Sequence, residues 1–505
     1  MENKNKFYIT TAIAYTNAEP HIGFALELLQ ADVLARYHRL IGDETYFLTG
    51  TDEHGSKIAQ AAEKHGKDTQ VFVDEIAETF IDLTKKLNIS NDDFIRTSDQ
   101  KRHWPAAQKI WQKLAERGDL YKKDYEGLYC VGCESLKKKS DLDNGLCPIH
   151  KTEPQVVKEE NWFFRLSKYT AIIKEKIQND ELKIVPDSRK NEIINLLDDA
   201  EDVSFSRPTS TLKWGIPVPG DDTQTMYVWT DALTNYISAI GYADETEQFK
   251  KLWPADVHLI GKDILRFHAM YWPVILLSVG IDLPKAIYVH GFVTADGEKM
   301  SKSLGNVIDP KHLIEKYGVD VTRYFLLREI PSDSDGDFSY KKLEDRYNGD
   351  LANGLGNLVQ RVATLIESKL DGELVYKKEV VAKEVGENPE IKEFFDESGY
   401  GQLVKEFKLH EVLSNFIFSR IAIANRFIDT NKPWEIIKNN PAEFLEIMTV
   451  LTAMIHNISW WLQPFMPETS QKIFDVFGDS GERQIQDNYK FLIKKGTGLF
   501  PRLQQ

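Results

Sequence analysis

Cysteine is scarce: three in 505 residues, all between positions 130 and 147. That excludes the disulfide framework of a small secreted domain. A chain of this length needs no such staples, because it buries a large share of its surface on folding. Long apolar runs are lacking as well. The longest, from Ala269 to Ile281, contains Pro273 and Ser278 and falls well short of the ~20 residues that span a bilayer. The opening Met1-Glu2-Asn3-Lys4-Asn5-Lys6 turns apolar only at Phe7, which is unlike the core of a secretory leader. Positive charge is in deficit, with 63 Lys and Arg against 78 Asp and Glu and a formal net charge of −15. That argues against general coating of nucleic acid or anionic membrane, while leaving room for RNA contacts on one surface. Thirty Gly and nineteen Pro are too few for collagen or a long disordered tract. No internal repeat and no coiled-coil heptad is visible. The expectation is a soluble, cytoplasmic chain of roughly three domains with no membrane partner.

What is present begins with alternation of strand and helix. Phe7-Tyr8-Ile9-Thr10-Thr11 is a β-branched and aromatic run that reads as a buried strand. The turn-like Thr16–Pro20 follows, and from His21 to Arg39 the apolar residues Leu26, Leu29, Val33, Ala35 and Tyr37 recur near helical spacing. A second strand, Thr45–Gly50, leads through Thr51-Asp52-Glu53-His54-Gly55 into another helix. This order is the mark of a parallel sheet wound with helices, whose ligands bind beyond the carboxyl ends of the strands. Near Gly118 the pattern breaks. Residues 119–160 are charged and turn-rich and hold every cysteine, as an inserted module would. Strand-like segments return at Gln224–Trp229 and Val257–Ile260, followed by the helical stretch Asp263–Leu277 and the strand Tyr288–Val293. From about Tyr347 the pattern is almost wholly helical, apart from a charged, low-apolar linker around Asp371–Pro389.

Cys130-x2-Cys133-x13-Cys147-x2-His150 has the ligand types and spacing of a tetrahedral zinc site. Two close pairs on two turns can place four donors on one metal, and Gly132 and Pro148 suit tight knuckles. With four protein ligands such a site is closed, so its role would be structural. Unliganded thiols or a decayed site are the alternative.

Two loops point to a nucleotide. Pro20-His21-Ile22-Gly23-Phe24 sits at a strand-to-helix junction, where helix amides and a glycine allow close approach to phosphate or a purine. Asp296-Gly297-Glu298-Lys299-Met300-Ser301-Lys302-Ser303 carries two lysines three apart in a Gly/Ser-containing loop, a cation pair suited to a polyphosphate. Taken singly, the first also fits an ordinary helix start and the second a solvated basic loop. Together, in this order and context, they resemble the HIGH and KMSKS signatures of the class I aminoacyl-tRNA synthetases. The resemblance extends over nearly the whole chain and is closest to the methionyl-tRNA synthetase family of the bacterial type. It is carried further by Ala12–Tyr15, Leu48–Gly55, Tyr227–Leu233, His258–Ile264, Asn357–Arg361 and Lys432-Pro433-Trp434.

The resemblance implies a fold and a division of the chain. Residues 1–117 and 223–290 would be the two halves of a Rossmann-like parallel-sheet catalytic domain, with the zinc-binding connective module inserted at 118–222. Residues 291–346 would hold the KMSKS loop and contact the tRNA stem, and 347–505 would form an all-α anticodon-binding bundle. It implies that L-methionine and ATP form methionyl-adenylate, with Mg2+ assisting, and that the aminoacyl group passes to the 3′ end of tRNA(Met), initiator tRNA included. His21, Lys299 and Lys302 would stabilise charge on the phosphates. Gly23 would admit adenine, Gly261 and Asp263 would lie at the ribose, and Ser301 would join the ATP site.

Further roles follow by the same resemblance. Asp52 would hold the substrate ammonium, and Ala12, Ile13, Tyr15, Trp229, Ala232, Tyr236, Ile264 and His268 would line the methionine pocket. An aromatic wall suits a polarisable sulfur, to which the Tyr236 hydroxyl or His268 would also donate weakly. Arg207 matches an arginine important for activation, although a plain surface arginine is the competing reading. Asn357, Arg361 and Trp434 match the anticodon readers, with Trp434 a rigid stacking platform behind Pro433. The large editing domain of the leucine, isoleucine and valine relatives has no room between the two signatures. The end of the chain at Gln505 leads to the expectation that a further tRNA-binding and dimerising domain is missing and that the chain is a monomer.

One position departs from the pattern. The first signature ordinarily ends in a second histidine, and here it ends in Phe24. Losing one donor to the phosphates would cost about 3 kcal/mol of transition-state stabilisation. A catalytically impaired RNA-binding paralogue is therefore the alternative function, and a class I synthetase for another amino acid is the third reading.

Overall fold

Strands rich in Val, Ile, Tyr and Phe and poor in charge can be buried on both faces, as a parallel sheet demands. The computed structural model describes residues 5–130, 135–137, 139–149, 151–300, 306–496 and 498–503, without the side chains of Tyr125, Ser135, Leu136, Ser140 and Lys299. It contains two compact units, Met1–His290 and Gly291–Gln505.

The first unit is built on a seven-stranded sheet. In chain order its elements begin β1 (Lys6–Thr11), β2 (Ala14–Tyr15), α1 (Ile22–Leu40), β3 (Glu44–Asp52), α2 (Ser56–Lys64), α3 (Thr69–Lys86), β4 (Asp93–Arg96) and α4 (Trp104–Glu116). The insertion brings β5 (Leu120–Cys130), β6 (Ser135–Lys137) and β7 (Gln155–Phe164), then α5 (Thr170–Gln178), β8 (Lys183–Val185) and α6 (Asp187–Asp198). Short pieces follow: β9 (Val203–Ser204), β10 (Ser206–Pro208), β11 (Pro217–Val218), β12 (Asp221–Met226), α7 (Val228–Ala232), α8 (Asn235–Ser238) and α9 (Glu247–Leu252). The unit closes with β13 (Val257–Gly261), α10 (Trp272–Val279) and β14 (Ala286–His290). The sheet order is β2-β3-β1-β13-β14-β8 with β4 flanking β3, and every pairing in it is parallel. Ile9, opposite both Phe47 and Val257, is fully buried at its centre. Gly50 allows β3 and β4 to close up, since a Cβ there would stand 2.0 Å from the Ile95 carbonyl oxygen.

The insertion's own four-stranded sheet is antiparallel, whereas its β8 joins the parallel sheet beside β14, so the run 118–222 is not wholly separate from the parallel sheet. β5 and β7 pair from Leu120↔Phe164 to Tyr129↔Gln155, with β6 and β9 on either side. Two expectations need correction here. The strand read at Gln224–Trp229 is β12, which ends at Met226 and pairs antiparallel with β10 and β11 instead of joining the parallel sheet. Val228 and Trp229 instead open the short α7. The helical stretch Asp263–Leu277 is likewise not one helix. A 3-10 turn at Lys262–Ile264 and a wide π turn at Phe267–Tyr271 precede α10.

The second unit starts with a small sheet in which β15 (Val293–Ala295) pairs antiparallel with β16 (Glu298–Lys299) and parallel with β17 (Gly336–Phe338). Helices dominate from α11 (Pro310–Tyr317), α12 (Val319–Glu329) and α13 (Tyr340–Arg346) through a π stretch, Tyr347–Gly356, into α14 (Asn357–Lys369). Later helices include Phe418–Asn431, Pro441–Leu462 and Pro467–Phe477. The fully buried Arg323 ties α12 to the turn after Pro441–Leu462, donating to the carbonyls of Pro464 and Phe465 at 2.9 Å each. The linker read at Asp371–Pro389 is structured: Glu373–Val375 pairs antiparallel with Lys490–Leu492, and Lys378–Glu387 is a helix. Among the described residues no helix is long and apolar enough to cross a membrane.

Candidate active site

Residues at the carboxyl ends of β1, β3 and β13 and at the start of α1 converge, as the sheet's topology requires. His21 caps α1 in extended conformation, and its Nδ1 accepts the Gly23 N–H at 3.0 Å. That bond explains the glycine. A Cβ at position 23 would lie 2.9 Å from His21 Cε1. The His21 ring reaches solvent, yet the protein around it lowers its pKa by burial. Asp263 opposes that shift and His290 adds to it, so the three side chains act on one another. Gly261 ends β13, and a Cβ there would stand 2.8 Å from Asp263 Oδ1 and 3.6 Å from His290 Nε2. His290, at the end of β14, pairs with the buried Glu27 of α1 at 2.9 Å. Burial raises the Glu27 carboxyl, and His290 opposes the rise. Sequence reading missed both residues of this pair. The available signal was one acid, Glu27, inside the apolar run Leu26–Leu29.

The second group lies around Asp52, the last residue of β3 and 6% exposed. Its Oδ1 faces Thr97 Oγ1 at 3.4 Å, and its carbonyl accepts from the Thr16 N–H and hydroxyl at 3.0 and 3.1 Å. Tyr15 is its register partner across β2 and β3. The Asp52 charge helps burial raise the Tyr236 hydroxyl. Ala12, anchored by its N–H to the Leu259 carbonyl at 2.9 Å, and Tyr236 belong to the buried core of this unit. Ile13, Tyr15, Trp229, Ile264 and Phe267 pack against that core half-exposed, and Ala232 is buried in α7. Trp229 stacks on Phe267 at 3.7 Å and meets His268 edge-on at 6.2 Å. Phe267 is another residue the sequence reading passed over.

The proton inventory of this pocket corrects one expectation. His268 Nδ1 lies 3.0 Å from the Ile264 carbonyl oxygen, which can only accept, so Nδ1 carries the hydrogen. Burial pushes the His268 pKa down to about 4, so Nε2 is a bare acceptor near neutrality. The Tyr236 hydroxyl, 2.6 Å away, donates to it. Neither group keeps a proton to donate to a sulfur atom.

Arg207 is not a surface residue. It is 5% exposed, donates to Ser204 Oγ and the Ser206 carbonyl at 2.7 Å each, and lies over the Tyr227 ring at 4.8 Å. Tyr227 is the N-cap residue of α7, so Arg207 lies against the start of that helix.

In the second unit, Asp296 and Gly297 (φ 50° and 81°) turn β15 into β16, and the Gly297 N–H donates to Asp337 Oδ1 at 2.7 Å. Lys299 is placed opposite Thr294 by its backbone, while Ser301 and Lys302 lie outside the described residues. Asn357 is exposed at the start of α14, and Arg361 follows one turn later. The Arg361 guanidinium sits 5.3 Å from the centre of the Trp434 ring and bonds Asp429 at 2.6 Å, leaving Trp434 37% exposed.

Of the four metal-ligand candidates, Cys130 and Cys147 are both buried, and Cys133 and His150 lie outside the described residues. Cys147 opens a tight turn closed by the Lys151 N–H on its carbonyl at 2.8 Å. Two buried thiols, one ending β5 and one opening the Cys147–Lys151 turn, are of the ligand type a soft, tetrahedral ion takes. Among the described residues no group of three or more His, Cys, Asp or Glu is placed to hold a metal.

The family model described as tRNA synthetases class I (M) matches residues 7–138 and 130–363. A methionine--tRNA ligase of Thermotoga maritima is 43% identical over 477 residues, covering 93% of this chain and 75% of that protein. One of Brucella suis biovar 1 is 41% identical over 517 residues, covering 99% and 98%. Among solved structures, Mycobacterium tuberculosis methionyl-tRNA synthetase in complex with methionyl-adenylate superposes with a TM-score of 0.92 at 37% identity, covering 99% of this chain and 100% of that one. A wound parallel sheet with its polar loops gathered at one edge, a helical C-terminal part and these matches lead to one conclusion: the chain belongs to the class I tRNA synthetases of the methionine branch.

Proposed function

We propose that this chain is a methionine--tRNA ligase, which joins L-methionine to ATP as methionyl-adenylate and transfers the aminoacyl group to the 3′ end of tRNA(Met), initiator tRNA included. One observation carries the reading. Asp52, for an ammonium, and the Trp229–Tyr236–His268 cluster, for an uncharged side chain, stand in one unit with the His21–Gly23 helix start and the Gly261–Asp263 turn.

The amino-acid carboxylate is already ionised at neutral pH, so its attack on the α-phosphorus needs no general base. Alignment and charge neutralisation do the catalysis. His21 meets the phosphates, with Lys299 and Lys302 as the cations of the second signature and Ser301 beside them. Gly23 makes room for adenine, while Gly261 and Asp263 take the ribose. Asp52 holds the ammonium, and Ala12, Ile13, Tyr15, Trp229, Ala232, Tyr236, Ile264 and His268 enclose the side chain. Arg207 supports this pocket through Tyr227. Mg2+ bound with ATP would offset phosphate charge. Cys130, Cys133, Cys147 and His150 would hold a structural zinc ion that cross-links the two turns of the insertion. Asn357, Arg361 and Trp434 read the anticodon.

The division into catalytic halves (1–117 and 223–290), insertion (118–222), stem-contact region (291–346) and anticodon bundle (347–505) belongs to the same reading, as do the cytoplasm and a monomeric state. The test is charging of a tRNA(Met) transcript with radiolabelled methionine and ATP. Acid-stable counts on the RNA are expected. tRNA binding with no charging at saturating ATP, Mg2+ and methionine would favour the impaired paralogue and overturn the proposal.

A further inference from the structure

We propose that Asp231 is a positioning residue for methionine activation, a buried carboxylate that clamps His54 and His103 and so makes two walls of the amino-acid pocket move as one. The inference rests on the function proposed above and adds three residues to it.

The Asp231 carboxylate is buried, and both oxygens are engaged: Oδ2 with His54 Nδ1 at 2.6 Å and Oδ1 with His103 Nε2 at 2.7 Å. The three residues come from separate elements. His54 lies in the loop after β3, two residues beyond Asp52. His103 immediately precedes α4. Asp231 sits in α7, two residues after Trp229 and next to Ala232. A carboxylate oxygen only accepts, so both facing nitrogens carry their hydrogens. Burial alone would raise the Asp231 carboxyl, but the two imidazoles hold it below its usual range. His103 Nδ1 has Ser238 Oγ at 2.9 Å. His54 Nε2, by contrast, is buried with no hydrogen-bond partner, its ring edge-on to Trp104 at 5.9 Å and Trp214 at 5.5 Å. Among the described residues, Asp231 is therefore the one hydrogen-bond partner of the His54 ring.

The loop from Asp52 to Gly55 is gripped from both sides. On the β4 side, Thr97 Oγ1 accepts the Glu53 N–H at 2.8 Å, and Arg96 holds the Glu53 carboxylate through two bonds at 2.7 and 2.8 Å. On the other side, the His54–Asp231 bond carries the grip to α7. The Asp52 that faces the ammonium and the Trp229 that covers the side chain are thereby joined through residues that need touch neither. Losing the join should loosen methionine and spare ATP.

The experiment is ATP–diphosphate exchange on wild type, Asp231→Ala, Asp231→Asn and His54→Phe, with thermal melts to confirm folding. Asn can keep the clamp. Its oxygen accepts from His54, and its amide donates to His103 once that ring's hydrogen moves to Nδ1, facing Ser238. We expect the methionine KM to rise about tenfold in Asp231→Ala and His54→Phe, to stay within about threefold in Asp231→Asn, and the ATP KM to move less than about twofold throughout. His54→Phe fills the same space and leaves Asp231 paired with His103, so it decides the matter should Asp231→Ala not fold. An unchanged methionine KM in His54→Phe, methionine and ATP KM rising together, or Asn as damaging as Ala would overturn the clamp. A wild type without methionine-dependent exchange overturns the proposed function itself, and the clamp with it.

Discussion

Tyr236 donates its only proton to His268 across 2.6 Å, because the other side of that imidazole is committed to the Ile264 carbonyl at 3.0 Å. The bond joins the helix that carries Tyr236 to the π turn that carries His268, and in the proposed pocket it would leave a thioether an apolar, aromatic surface. In the proposed methionine pocket, selection would then rest on shape and polarisability, not on a donated hydrogen bond.

Tyr236→Phe strips His268 Nε2 of its donor inside the core. An unsatisfied buried acceptor costs about 1–3 kcal/mol. The methionine KM in exchange should rise about tenfold with little change for ATP, since roughly 1.4 kcal/mol is a factor of ten. Equal KM values for methionine in variant and wild type would contradict the bond's assigned role.

Acid stability follows from the same histidine. Burial holds folded His268 at a pKa of about 4, against 6.5 in an open chain. The unfolded state therefore takes up a proton first. The stabilisation is complete above about pH 6.5 and is lost as pH falls toward about 4, amounting to roughly 3 kcal/mol. His258, held low by burial and by His268, acts in the same direction. Urea unfolding of His268→Gln between pH 7 and 4 should show a shallower pH dependence, by up to about 1.4 kcal/mol per pH unit. Parallel curves would contradict the assignment.

The exposed Trp434, with Arg361 over its ring, offers a flat face to an unstacked base. Trp434→Ala should lower kcat/KM for tRNA(Met) by about ten- to a hundredfold, the loss expected for one stacking platform. Diphosphate exchange, which needs no tRNA, should be unchanged. A loss of exchange to the same degree would mean that the tryptophan supports the fold and not the RNA.

The proposed site of Cys130, Cys133, Cys147 and His150 would hold one zinc ion per chain. Purified protein should carry it by elemental analysis, and Cys147→Ala should abolish it and lower the melting temperature. An apparent zinc content near zero in protein purified without chelator, with an unchanged melt in Cys147→Ala, would contradict the site.

Local periodicity made β1, α1 and β3 legible, because each is a continuous segment with one burial pattern. It failed where pairing is remote or helical winding changes. Glu373–Val375 reads as a polar linker because its partner strand, Lys490–Leu492, lies more than a hundred residues away. Gln224–Met226 has the pattern of a sheet strand, and nothing local says which sheet. The π turn that presents His268 has no periodicity signal of its own. The candidate site residues were singled out as motifs, whereas Glu27–His290 and His54–Asp231–His103 exist only once distant elements meet. Nothing local decided between a site arginine and a surface one at Arg207, because its neighbours Ser204 and Tyr227 are brought to it by the fold.

The central claim is adenylate formation by a chain with Phe24 in the first signature, a residue whose ring packs edge-on against Phe80 at 5.1 Å. The direct measurement is to incubate the protein with ATP, Mg2+ and methionine without tRNA, remove free ligand by gel filtration, and identify the bound nucleotide by mass spectrometry. About one methionyl-adenylate per chain is expected, and none with leucine in place of methionine. Recovery of unreacted ATP alone, or equal adenylate with leucine, would contradict it.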